Sequence, residues 1–425
     1  MKIVYIIPGS GGSFYCQNCL RDNELIYALR NLGHQVTIVP MYLPLNLNTC
    51  QELGDAPVFY GAINIYLKQQ FPIFRRAPVW LERWLDAKPL LKLAAHLSGS
   101  TNAQGLEEMT LSMLLGEEGK QASELDHLLQ WLKHEEKPDI IHLSNALLLG
   151  LACRIKQELG TRLYCSLQDE HQWIDPMHDS YRERIWQLMA EKAKYVDRFI
   201  TVSRFYSHFM QKNLHIPHQQ IDIIPIGINL QGYELVKARN AVPTIGYLNR
   251  LAEMFGLETL VDAFILLKKK YIHLELHITG GHTAEDKPFI KRMQKKIRQA
   301  RVQDAVKIFP EFDRSSRLKF LRSLTVLSVP VPYGEAFGAY LIEALASGVP
   351  VVQPRVAAFP EFIQATGGGL LCEANDPLSL ADGISDLLAD PIRAAELGGR
   401  GRQKVLAEYS IEKMARRMAE AYQKT

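Results

Sequence analysis

Cysteine is scarce in this chain, with six in 425 residues: Cys16, Cys19, Cys50, Cys153, Cys165 and Cys372. So few, several of them in apolar strand-like runs, exclude a small scaffold stapled by disulfides and fit a reducing cytoplasm. A second lack is a long apolar run. No window of about 18 uninterrupted apolar residues is present, so no membrane-spanning helix is expected. The opening "MKIVYIIPGSGG" reads directly as a strand and has no small-residue cleavage site of a secretory leader. A third lack is charge of one sign. The net charge of +3 is too small to imply nucleic acid as a partner. Internal repeats and low-complexity tracts are also missing, which leaves an ordinary globular chain long enough for two or three domains.

What is present is alternation. Short β-branched runs lie at 2–7, 35–39, 63–67, 139–143, 162–167, 197–202 and 221–224, then at 243–248, 273–279, 305–309, 325–329 and 350–352. Helical periods separate most of them, as in "RDNELIYALRNLG" and "GLETLVDAFILLKKK". This pattern predicts an α/β chain with parallel sheets covered on both faces. It breaks at 229–242, where "NLQGYELVKARNAVP" has no period and ends in proline. The expected domains are therefore 1–235 and 236–409, with a terminal helix over 410–425 packing back on the first. Ser410 is its expected N-cap. Residues 68–135 read as a helical insertion. Within it, 71–97 carries Trp80 and Trp84 among Arg75, Arg76, Arg83 and Lys88, a composition compatible with a peripheral membrane contact and equally with a helix packed on its own domain.

The stretch "PYGEAFGAYLIEALASGVPVV" (332–352) places Glu335 in a glycine-flanked loop and Glu343 eight positions later, in a short apolar helix expected from Gly338 to about Ser347. The first amides of that helix, at Gly338, Ala339, Tyr340 and Leu341, have no partners one turn back, and with the helix dipole they form an anion site. Glu343 lies four residues past Ala339, roughly 6 Å further along the axis at a rise of about 1.5 Å per residue. That spacing matches the step from a diphosphate to the ribose of one nucleotide, whose vicinal hydroxyls a carboxylate accepts. Glu335, ahead of the helix start, faces what lies beyond the diphosphate. The alternative is a pair of acids that merely favour a helix N-terminus.

"EAFGAYLIEALASGVPVV" resembles the E-x7-E signature of retaining glycosyltransferases of family 4, whose fold is GT-B. "IIPGSGG" followed by "LIYALRNLGHQVTIVP", "KYVDRFITVSRFYSHFM" with "IDIIPIGIN", and "GGGLLCEANDPLSLADGI" resemble the family's other segments, in order. The resemblance covers most of the chain and is strongest over 243–372. It implies two doubly wound Rossmann-like domains facing a central cleft. It also implies a nucleoside diphosphate sugar as donor, a hydroxyl on a lipid, glycan or small molecule as acceptor, and work in cell-envelope or glycan synthesis at the cytoplasmic side of the membrane. No metal or other cofactor is implied, and no Asp-x-Asp motif is present.

Carried across residue by residue, the resemblance assigns ribose to Glu343 and the donor sugar to Glu335. It assigns sugar and phosphate contacts to Phe337, Gly338, Ala339 and Tyr340, and phosphate approach to Gly11 and Gly12. In "NRLAEMFG", Arg250 matches the arginine that neutralises the leaving diphosphate, whereas Phe255 stands where the family has lysine. In "CSLQDEHQW", Gln168 stands where many members have histidine; it can hydrogen-bond a sugar and cannot relay a proton. His142, in "DIIHLSN", is the other candidate on the strand ends. These departures keep a non-catalytic sugar-nucleotide binder open as an alternative, with a GT-B epimerase behind it. A dinucleotide fingerprint fails, because glycines at 9 and 11 require another at 14, where Phe14 stands. Cys16 and Cys19 form a lone C-x-x-C, read as thiols at a helix start, either packing or redox-active.

Overall fold

In a computed structural model, residues 1–8, 14–41, 105–234 and 242–424 are described. The β-branched runs become two sheets of six strands each, all parallel. The first contains β1 (Lys2–Ile7), β2 (Gln35–Pro40), β3 (Ile140–Leu143), β4 (Arg162–Leu167), β5 (Arg198–Thr201) and β6 (Ile221–Ile223), in the order β2-β1-β3-β4-β5-β6. The second contains β7 (Thr244–Leu248), β8 (Glu275–Thr279), β9 (Val306–Phe309), β10 (Val326–Leu327), β11 (Val351–Pro354) and β12 (Gly369–Cys372), in the order β12-β11-β10-β7-β8-β9. Both faces of the central strands are buried: Ile3, Val4, Tyr5 and Ile6 of β1 are fully enclosed, as are Ile245, Tyr247 and Leu248 of β7. The expected α/β architecture, with two Rossmann-like parallel sheets, is what the chain adopts.

Two compact units carry these sheets. One consists of Met1–Gly11, Asp22–Ile224 and Ala415–Thr425; the other of Gly12–Arg21 and Pro225–Met414. The described part of the insertion is helical, with helices Glu107–Leu115 and Ala122–Trp131. The strand expected at 63–67, the candidate membrane face 71–97 and Cys50 lie outside the described residues. Among the described residues no helix is long and apolar enough to cross a membrane.

Two strands differ from the sequence reading. β10 shrinks to Val326–Leu327, because Pro330 and Pro332 cannot donate to a ladder and Val331 N turns back to Val329 O (2.8 Å). β12 was hidden in a glycine run that reads as loop. Its glycine is required by close packing: a Cβ on Gly369 would stand 2.3 Å from Val351 O.

In the second sheet the strand order reverses between β7 and β10. Parallel sheets bind ligands outside the carboxyl ends of their strands at such a point, where the neighbouring connections leave in opposite directions. Asn249 and Arg250 follow β7, and the loop carrying Glu335 follows β10.

The last residues of the chain are tied to the first sheet. Ser410 caps the helix Ile411–Ala421 by accepting from Lys413 N (3.2 Å). Beyond that helix, Tyr422 OH hydrogen-bonds His142 Nδ1 (2.7 Å), Tyr164 OH donates to Ala421 O (3.2 Å), and Arg162 donates to Tyr422 O (2.8 Å). Asp222 of β6 meets both Arg198 of β5 (2.8 Å) and Lys424 (2.5 Å). Burial alone would raise the Asp222 pKa, but the hydrogen bonds and charges of Arg198 and Lys424 outweigh it and hold the carboxyl below its ordinary value. A depressed carboxyl stabilises the fold above its unfolded pKa of about 3.9, and that stability is lost as pH falls through the folded value. Asp222→Asn is therefore expected to cost about 1 kcal/mol at neutral pH and to flatten the loss of stability below pH about 4. Urea unfolding at both pH values checks this; an unchanged acid limb in the variant contradicts it.

Candidate functional site

The loop after β10 turns through Pro330, Pro332 and Gly334 and ends at Gly338, whose φ of 100° is a backbone state that L side chains rarely adopt. A side chain there would also press on the Tyr340 ring and Leu341 Cδ1, both 3.2 Å from a Cβ. The helix that follows, Ala339–Ala346, is buried along its whole length, as eight successive small and apolar residues with one glutamate dictate. It stops at Ser347 and Gly348, the latter at φ 73°.

Glu343, one turn inside this helix, is 4% exposed. Its Oε1 accepts from Arg317 Nε (3.0 Å) and Tyr233 OH (2.5 Å), and its Oε2 from Tyr15 OH (2.8 Å). Burial, then the charge of Glu343, push the Tyr15 and Tyr233 phenols well above their ordinary pKa, so both remain neutral donors. Burial opposes the charge on Arg317, but Glu343 outweighs it and raises the guanidinium further.

Glu335 is fully buried. Tyr340 OH donates to its Oε2 (2.7 Å), while Gln17 Nε2 (2.9 Å) and Asn249 Nδ2 (3.4 Å) reach its Oε1. The other end of the same Gln17 amide, Oε1, accepts from Ala339 N (2.7 Å). One expectation, that of open amides at the helix start, needs correction here. The amide of Ala339 is capped by a side chain, and that of Leu341 turns back to Gly338 O (3.1 Å), so neither is an open donor. Phe337 is buried against the rings of Phe362 and Tyr409.

Arg250 is engaged by side chains of its own unit. Its Nε and Nη2 form a two-pronged bond to Asp286 (2.8 and 3.0 Å), Nη2 reaches Thr283 Oγ1 (3.0 Å), and the Phe14 ring lies 4.9 Å from the guanidinium carbon. Nη1 makes no hydrogen bond among the described residues. Asp286 is itself fixed by a reciprocal cap with Thr283 at the start of a short helical turn. Phe255, half-buried, accepts from Tyr247 OH through its carbonyl (3.3 Å) and donates its N–H to Ala252 O (3.2 Å).

The remaining candidates belong to the first unit. His142 is a core histidine: fully buried in β3, stacked on Tyr5 (ring centroids 4.5 Å apart), with Nε2 on Ser166 Oγ (2.9 Å) and Nδ1 on Tyr422 OH. Both nitrogens are engaged, so the reading of His142 as a reactive strand-end group gives way to a packing role. Gln168, at the end of β4, donates Nε2 to Ser144 O, while its Oε1 and the neighbouring Ser144 Oγ are buried without a partner. Glu170, two residues on, accepts from Ala146 N (2.9 Å), Gln168 N (2.8 Å) and Tyr206 OH (2.6 Å); burial raises its pKa. Gly11 and Gly12 lie outside the described residues.

Cys16 and Cys19, read as thiols, are joined in a disulfide. Cys153, Cys165 and Cys372 are free and buried; burial drives the Cys165 thiol well up and the Cys372 thiol to about 12, so both are inert. Among the described residues no group of three or more His, Cys, Asp or Glu gathers to hold a metal ion.

Two family profiles match in tandem: "Glycosyltransferase Family 4" over residues 113–231 and "Glycosyl transferases group 1" over 236–404. The chain belongs to the family-4-like glycosyltransferases. Within this family it is 27% identical over 237 residues to a GDP-mannose-dependent alpha-(1-6)-phosphatidylinositol monomannoside mannosyltransferase of Mycobacterium tuberculosis, a match covering 52% of this chain and 58% of that one. It is 32% identical over 118 residues to the N-acetyl-alpha-D-glucosaminyl L-malate synthase of Bacillus anthracis, covering 28% of this chain and 30% of that one. The chain thus spans about half the length, or less, of the curated relatives it matches. In fold it is similar to a sucrose-phosphate synthase from Thermosynechococcus elongatus (TM-score 0.72, 18% identity, 99% of this chain and 98% of that one). It is similar also to Anabaena HepE, solved with UDP and glucose (TM-score 0.71, 15% identity, all of both chains). The GT-B fold is shared throughout.

Tyr15, Gln17, Tyr233, Asp286 and Arg317 are site residues with no motif of their own. Arg317 sits in the basic helix Arg314–Arg322, indistinguishable by pattern from its neighbours, and Tyr233 in the segment read as linker. Arg317→Met leaves the Glu343 carboxylate buried without its cation and is expected to cost about 3–5 kcal/mol in denaturant unfolding. Loss of less than about 1 kcal/mol, the range of an exposed pair, shows that the pair is solvated.

Proposed function

We propose that the chain is a retaining glycosyltransferase that moves a hexosyl group from a nucleoside diphosphate sugar to a hydroxyl of a lipid, glycan or small molecule. One observation carries the reading. Glu335 and Glu343 straddle the start of the helix Ala339–Ala346, at the strand-order reversal of the second sheet. On this reading Glu343 takes the ribose hydroxyls and Glu335 those of the donor sugar. The backbone of Phe337, Gly338 and Tyr340, and that of Ala339 once the Gln17 side chain is displaced from it, takes phosphate and sugar, and Arg250 meets the diphosphate through Nη1. The acceptor hydroxyl attacks the anomeric carbon on the face the diphosphate leaves, and the departing phosphate oxygen takes its proton. Arg250 and the helix start stabilise the charge that develops on the leaving group. No step is routed through a metal ion. Gln168, by its unpartnered Oε1, is the candidate to receive an acceptor or sugar hydroxyl. Relatives that act on phosphatidylinositol mannosides and on D-inositol 3-phosphate favour a polyhydroxylated acceptor. The place of action is the cytoplasm, at the inner membrane face if the acceptor is a lipid.

A second reading has its own support. Phe255 and Gln168 replace the family's lysine and histidine, and Arg250 shares its charge with Asp286. A sugar-nucleotide binder without turnover accounts for all three.

A thermal-shift panel of nucleotide sugars identifies the donor, since a ligand of the folded state raises the melting temperature. Glu343→Gln is then expected to weaken that donor about tenfold or more, about 1.4 kcal/mol, by calorimetry. The anomeric configuration of the product, read by NMR, is expected to match the donor's. Unchanged donor affinity in Glu343→Gln overturns the assignment, and binding without turnover across a broad acceptor panel establishes the binder.

A further inference from the structure

Three residues near the chain's beginning lie on the groups just assigned to the donor. The Phe14 ring covers Arg250, Tyr15 OH donates to Glu343, and Gln17 spans Glu335 and the amide of Ala339. The backbone is fixed as well: Tyr15 N donates to Gly280 O (2.7 Å), and Phe14 forms an antiparallel bridge with Gly281. The contacts copy those of a ligand. A phenolic hydroxyl stands where a ribose hydroxyl would donate, an amide oxygen where a phosphate oxygen would accept, and an amide NH2 where a sugar hydroxyl would donate. Next to Tyr15, the Cys16–Cys19 disulfide spans the start of the helix Gln17–Asn31 and closes a ring that contains Gln17.

We propose that Cys16 and Cys19 are a reversible dithiol–disulfide site, with a dithiol reductant as co-reactant, and that the oxidised form locks Tyr15 and Gln17 over the donor groups. The second part rests on the donor reading above. Cys16 stands at the start of the helix Gln17–Asn31, its carbonyl accepting from Leu20 N (3.1 Å), and Cys19 N donates to Cys16 Sγ (3.3 Å). A helix start with an amide aimed at sulfur stabilises a thiolate there. Both cysteines are partly exposed, whereas among the described residues the free cysteines Cys153, Cys165 and Cys372 are buried and unavailable for exchange.

The chemistry closes. A reductant thiolate attacks Cys19 Sγ, the Cys16–Cys19 bond breaks, and Cys16 leaves as the thiolate that Cys19 N–H stabilises. The reductant's second thiol then attacks the mixed disulfide and releases Cys19. Two electrons and two protons pass to the cysteines, and the reductant departs as a disulfide. Opening the ring restores backbone freedom at Gln17 and Asn18 and loosens the two amide contacts on Glu335 and Ala339.

The test compares full-length protein, oxidised and reduced, with thiols counted by alkylation and mass spectrometry. Hydrogen exchange over 335–347 is followed without nucleotide, and the affinities of UDP, GDP and ADP are measured by calorimetry. Reduction is expected to speed exchange at Ala339 about tenfold and to tighten the binding diphosphate by a similar factor. Cys16→Ser/Cys19→Ser is expected to behave as reduced in both conditions; the reduced wild type serves the same purpose should that variant misfold. A disulfide that a dithiol does not open, or exchange and affinity identical in both states, overturns the proposal. Exchange that responds while no diphosphate binds in either state keeps the redox lock and removes the donor reading.

Discussion

A carboxylate taken out of water has to be met by donors, and the Glu343 carboxylate is met from three directions. Arg317 comes from the helix Arg314–Arg322, Tyr233 from the entry to the second unit, and Tyr15 from a segment more than three hundred residues earlier in the chain. The pair with Arg317 gains from low local dielectric what it loses in hydration only because both oxygens are occupied. The rest of the site is arranged around it. The helix that carries Glu343 is otherwise buried and mostly apolar, so the ion pair and its two phenols, together with the Tyr340–Glu335 hydrogen bond, fix that helix about its axis.

The second carboxylate solves the same problem differently. Glu335 lies before the helix and is met by a phenol, an asparagine and a glutamine. Neutral donors of this kind can be exchanged for ligand hydroxyls at little electrostatic cost, whereas the Arg317 contact to Glu343 cannot. The two acids of one motif therefore sit in unlike environments, one anchored to a cation and one ringed by exchangeable partners. Parallel-sheet topology supplies the place for this difference: reversal of strand order at β7 and β10 leaves the ends of two connections open to fill, and residues 14–17 fill them.

The sheets were legible in sequence because parallel strands buried on both faces are unbroken β-branched runs. The two failures, the short β10 and the hidden β12, are places where proline and glycine act through backbone geometry rather than hydrophobicity. The motif at 335–343 was legible because its spacing carries the geometry of a helix start. Its partners were not. Tyr15, Gln17, Tyr233 and Arg317 become neighbours only through folding, and nothing local separates Arg317 from Arg314 or Arg322. His142 misled for the converse reason: a histidine at the end of a strand reads the same whether it faces a ligand or, as here, a tyrosine from the far end of the chain.

Glu170 has a bearing on how this scaffold can vary. Its single side chain terminates backbone amides in the connections after both β3 and β4, and it also receives the hydroxyl of Tyr206. Neither connection is independent. A change of length or composition in one disturbs the acid that braces the other, so the two turns tolerate alteration best when altered together. Diversification of that rim then proceeds more readily through the residues that project from the turns than through the turns themselves.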